Sequence, residues 1–119
     1  MKNLILTLVV AVLVPVGFAL LGGTRALGAH IWWDVQTILI GAPIGLVLGF
    51  GASWLPYRRT KGIFAFLILL ALSFAIAKYG QITFANSYGE DAFAGAAWYF
   101  GWIATGAFTS ATLFTALRR

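Results

Sequence analysis

Residues 41–62 read GAPIGLVLGFGASWLPYRRTKG, an apolar run that ends in a short basic turn. Gly41, Gly45 and Gly49 recur every fourth residue, and Ser53 continues the row. On a helix that spacing gathers small residues into one stripe, where a second helix can bring its backbone close in lipid. The stripe therefore predicts a packed helix over about 35–54. Arg58, Arg59 and Lys61 in the turn predict which side of a membrane the following loop occupies.

The composition agrees with a bilayer. The chain is 61% hydrophobic and 9% charged, whereas an ordinary soluble domain carries about 25% charged residues. With a mean hydropathy of +0.94, it lacks the polar surface to cover a water-soluble globule. No linker, charge block or internal repeat divides it, which predicts one membrane domain over 1–119. The net charge of +5 would suggest nucleic acid in a soluble protein. Here the basic residues flank apolar segments, so topology accounts for them and no nucleic-acid partner is expected. The sequence has no cysteine, which removes disulfides, thiolate metal sites and cysteine nucleophiles.

Outward from the glycine stripe, three more apolar runs read as spans at about 4–21, 63–77 and 92–117. The first contains Pro15 and could also be read as a signal peptide; we read it as a transmembrane helix. A connection with Arg25, His30, Trp32, Trp33 and Asp34 follows, and its paired tryptophans suit a membrane interface. The third span is rich in Leu, Ile and Phe, the composition of a lipid-facing helix. Lys78 and Tyr79 close it, and Gly80–Asp91 reads as the longest polar loop. Within that loop, Ser87 and Glu90 have the spacing of a capping box for the last helix, with Asp91 adding charge at its start. The last span carries its own four-spaced row, Ala97, Gly101, Thr105 and Thr109. The two rows are expected to pack the second and fourth spans together.

The basic residues divide six to two. Lys2, Arg58, Arg59, Lys61, Arg118 and Arg119 fall on one side, Arg25 and Lys78 on the other. The expected fold is thus an all-α bundle of four transmembrane helices with both termini cytoplasmic, in a bacterial-type inner membrane.

No ionisable residue falls in the middle of any span, which argues against a proton-coupled pump working through a membrane carboxylate. His30 and Asp34 are four apart, and Glu90 and Asp91 belong to the same outer side. Those four are the weak candidates for a metal, but they lack a ligand motif, and capping and interfacial roles explain each one. Ala26 followed by His30 has the small-residue-then-His spacing of pigment-ligating helices, in a connection rather than a span. A single His also lacks a nucleophile held beside it, and the glycine row lacks a phosphate-binding Lys. No enzyme activity and no cofactor are expected.

The leading expectation is a non-catalytic helical accessory or structural subunit, packed against membrane lipids and either another membrane subunit or copies of itself. A small oligomeric channel for a neutral or anionic solute, lined by Thr105, Thr109, Ser110 and Thr112, is the alternative. Lipid or pigment binding is a minor third.

Overall fold

The structure, a computed structural model, describes residues 2–56 and 58–117, with the backbone alone at residues 2 and 3. Arg118 and Arg119, and the side chain of Lys2, lie outside the described residues. The described chain is helical throughout, without a strand. Its elements are α1 (Lys2–Leu20), a single turn α2 (Gly23–Ala26), α3 (Asp34–Ala52), α4 (Arg59–Asn86) and α5 (Ala92–Leu117). Three of them, α3, α4 and α5, are long and apolar enough to cross a membrane, and α1 is a shorter apolar helix.

α5 is the axis of the bundle. Half of its most apolar stretch is buried, against 17% for α4. α1, α3 and α4 all pack on α5, while α4 packs extensively on α5 alone. α3 runs parallel to α5, so the glycine row meets it in step: Gly41 lies on Ile103 and Ala107, Gly45 on Ala107 and Ser110, and Gly49 on Phe114. A Cβ at Gly41 would fall on the Ile103 carbonyl, and one at Gly45 on the Ala107 carbonyl. Only glycine allows these backbones to approach so closely.

The second small row faces elsewhere. A Cβ at Gly101 would come 2.9 Å from Ala77 Cβ on α4, and α4 runs antiparallel to α5 from Gly62 beside Thr115 to Gly80 beside Trp98. The stripes of α3 and α5 therefore do not meet each other. α5 carries two distinct small-residue faces, one for α3 and one for α4. α1 adds a third such row, Thr7, Ala11, Pro15 and Ala19, every member buried.

α4 departs from expectation at both ends: it starts at Arg59, four residues before the expected 63, so Arg59 and Lys61 belong to its first turn and not to a loop, and it overruns at its other end. α4 continues nine residues past Ala77 to Asn86, because the loss of hydrophobicity after Lys78 does not break a helix; only a backbone terminator does. That terminator is at Tyr88 and Gly89, both with positive φ (57° and 81°). Gly89 N–H donates to Phe84 O at 3.0 Å and Tyr88 N–H to Ala85 O at 3.1 Å, a Schellman pair that satisfies the last carbonyls. Ser87 closes α4, its hydroxyl donating to Phe84 O at 2.8 Å, and the same oxygen accepts the Asp91 N–H at 2.9 Å, so it links the end of α4 to the residue that caps α5. Asp91 caps α5, its Oδ1 accepting the Ala94 N–H at 3.0 Å.

If the close α3–α5 contact organises the bundle, Gly45→Ala should lower stability in detergent by about 1–3 kcal/mol, the usual cost of overfilling a packed contact. Gly51→Ala is the matched control, since nothing lies within 4 Å of a Cβ there. It should be neutral or slightly stabilising, and equal thermal shifts for the two variants would contradict the assignment.

Candidate functional site

Two features at the α1/α3 turn end of the bundle gather most of the polar and aromatic chemistry. The first is a knot of side chains around the connection between α1 and α3. α1 ends at Gly22 with φ 89°, and α2 then turns the chain so that Arg25 meets the start of α3. Arg25 Nε donates to Asp34 Oδ2 at 3.1 Å. Asp34 is 4% exposed, and its other oxygen accepts the Val35 N–H at 2.9 Å. The carboxylate is satisfied by a cation and a helix N-terminus together, which is what permits its burial.

His30 sits among three tryptophans, with ring centroids 5.1 Å from Trp32, 5.9 Å from Trp33 and 5.4 Å from Trp98. Its Nδ1 accepts the Trp32 N–H at 3.0 Å, leaving Nε2 to carry the proton in the neutral ring. Trp98 Nε1 donates to Gly28 O at 2.8 Å, tying the connection to α5. Trp33 packs edge-on against Tyr99. Together with Trp32 and Tyr79 these rings form an aromatic band at one level of the bundle, as at a membrane interface.

His30, Asp34, Glu90 and Asp91 are not assembled into one site. Asp34 turns toward Arg25 and Asp91 is spent on the α5 cap. Among the described residues no three His, Cys, Asp or Glu side chains converge.

The second feature is a cavity of about 660 Å³ between α1 and α4, floored by α5. Val14, Pro15 and Phe18 form the α1 wall, and Leu67, Leu70, Ala71 and Phe74 the α4 wall. Trp102, Thr105 and Thr109 form the floor, with Ile38 of α3 beside them, and Thr24 and Leu27 line the end nearest the connection. The three hydroxyls in this lining are all engaged. Thr105 donates to Gly101 O at 2.7 Å, Thr109 to Thr105 O at 2.7 Å, and Thr24 to Asp34 O at 3.4 Å. The surface presented to an occupant is therefore apolar.

These contacts bear on the residues named for a solute path. Thr112 also bonds back, to Phe108 O at 2.6 Å. Ser110 is fully buried against α3 beside Gly45, with no partner for its hydroxyl. No continuous row of free hydroxyls faces the cavity.

Lys78 was read from the sequence only as the end of a span. Its Nζ donates to Gln81 Oε1 at 3.2 Å and lies 5.8 Å from the Phe74 ring centre. Both side-chain tips rest on Gly28, where a Cβ would come 2.6 Å from Nζ. Lys78 thus stands one turn beyond Phe74, next to the connection end of the cleft without lining it. Periodicity does not reveal this, because it depends on where the connection from another helix is laid. No family model, curated protein or solved structure matches the chain.

The ion pair generates an asymmetric expectation. Arg25→Ala leaves a buried carboxylate without its cation and should cost about 1–3 kcal/mol. Asp34→Asn releases a guanidinium that is already 54% exposed and can be solvated, so its cost should be smaller. Thermal unfolding of both variants checks the order; the reverse order would contradict the burial argument.

Proposed function

We propose that this chain is a non-catalytic, four-span protein of a bacterial-type inner membrane, N-in and C-in, that serves as a helix-packing subunit. The observation that carries the reading is the one-sided attachment of α4. This helix of 28 residues packs extensively only on α5. Phe64, Ile68, Leu72 and Ile76 form an exposed apolar row along it, from 61% to 52% exposed. A row of that kind suits lipid or the apolar surface of another membrane chain.

The distribution of polar groups supports the same reading. Caps, the Arg25–Asp34 pair and backbone bonds take up Asp91, Arg25, Asp34, Thr105 and Thr109, while the Ser110 and Thr115 hydroxyls are buried without a partner. Arg58, Arg59 and Lys61 at the start of α4 supply the positive charge that favours a cytoplasmic loop. From Arg59 to Lys78 α4 rises about 28 Å at roughly 1.5 Å per residue, close to the roughly 30 Å of a hydrocarbon core. On this reading the aromatic band and Lys78 lie at the opposite interface. The last two turns of α4 then stand clear of the hydrocarbon.

Topology and association are tested separately. A reporter inserted between Arg59 and Thr60, or fused after Arg119, should be active only in the cytoplasm. Periplasmic activity at either place would overturn the orientation. Because the chain has no cysteine, Ile68→Cys and Ile76→Cys give clean probes of the α4 row. Crosslinking in native membranes should join each variant to a second chain, whether a copy or a different subunit. A monomer in both variants, with nothing co-purifying in mild detergent, would count against the subunit role.

A further inference from the structure

We propose that the cleft between α1 and α4 is a binding site for one acyl chain of an anionic phospholipid, with Lys78 pairing to its phosphate. The proposal is independent of whether the protein is a subunit of anything; it requires only that the bundle lie in a bilayer.

Three properties of the cleft point to this occupant. The first is depth. From Lys78, one turn beyond the lining, to Leu67 at the foot of the cleft, α4 descends about 16 Å at roughly 1.5 Å per residue. One leaflet of hydrocarbon is half of the roughly 30 Å core, or about 15 Å. A chain whose headgroup sits beside Lys78 would therefore end near Leu67.

The second property is size and surface. A volume of about 660 Å³ falls within the range of about 300–1,000 Å³ for ligand pockets. The walls are apolar, and their three hydroxyls are bonded elsewhere, so nothing in the cleft asks for a polar occupant.

The third property is charge. Lys78 has a neutral amide as its hydrogen-bond partner. The one ion pair among the described side chains joins Arg25 to Asp34. An ammonium at an interface, over an apolar cleft and facing no carboxylate, suits an anionic headgroup rather than a zwitterionic or neutral one.

The test uses the full chain, purified in mild detergent and examined by native mass spectrometry with added lipids of identical acyl chains. Phosphatidylglycerol should be retained at one per chain, about fivefold over phosphatidylcholine, as one interfacial basic residue allows. Lys78→Gln should erase that preference while leaving chain binding in place. Ala71→Phe, which fills the cleft from an exposed position, should remove retention of both lipids with circular dichroism unchanged. Equal retention of the two lipids by the wild type, or undiminished retention by Ala71→Phe, would overturn the proposal. So would preferential retention of palmitate, which would make the ligand a free fatty acid. If the wild type dimerises and Ala71→Phe abolishes the dimer instead of the lipid, the cleft belongs to a second copy and the proposal fails.

Discussion

The backbone contact between α3 and α5 at Gly41 and Gly45 is the constraint from which the other placements follow. Lipid offers no hydrophobic drive between helices, so association depends on dispersion across closely matched surfaces. At these two glycines the α3 backbone lies against the Ile103 and Ala107 carbonyls, which fixes both separation and register. The two helices are parallel, so no short loop can join them, and α4 must return the chain between their opposite ends. It does so on the far side of α5, beside Gly101 and Gly80. α1 takes the groove that α3 and α5 form together. α1 and α4 are thereby held apart, and the cleft is what their separation leaves.

That geometry also explains why one span is longer than its apolar run. α4 and α5 form an antiparallel pair whose contact does not stop at the interface. Gly80 lies on Ala94 and Trp98, Phe84 is in ring contact with Trp98, and Gly95 lies against the Phe84 ring. Beyond the hydrocarbon, water can satisfy exposed side chains, but helix pairing still buries the face turned to α5. The helix therefore persists well past Lys78, until Tyr88 and Gly89 turn the backbone.

The glycine row of α3 was legible because a four-residue period specifies a face. It does not specify what that face meets. Gly101 and Thr105 belong to one face of α5, while Gly106, Ala107 and Ser110 belong to another, and a row drawn through the first cannot reveal the second. Ser87 and Glu90 illustrate the same limit for caps. Their spacing fits a helix start, yet the chain uses Ser87 to end α4 and Asp91 to begin α5, since the Schellman turn occupies the residues between. The absence of mid-span charge was plain in the sequence. The cleft was not, because it arises where two helices fail to touch, and no residue pattern encodes a gap. Lys78 was visible as a cation ending an apolar run; its place beside the cleft came from Gly28, fifty residues earlier in the chain.

The connection over residues 21–33 converts that gap into a defined shape. It is held at three points, by Arg25 on Asp34 of α3, by Gly28 O on Trp98 of α5, and by Lys78 and Gln81 of α4 resting on Gly28. Each polar contact of this kind contributes about 0.5–1.5 kcal/mol net, more at an interface where water competes less than in bulk. Thr24 and Leu27 are carried on the same strap and line one end of the cleft. The spacing of α1 from α4 therefore rests on the ties of this connection and not on extensive contact between the two helices along their length. Selectivity in such a site would rest with Lys78, one turn beyond Phe74 and beside Gly28 of the strap.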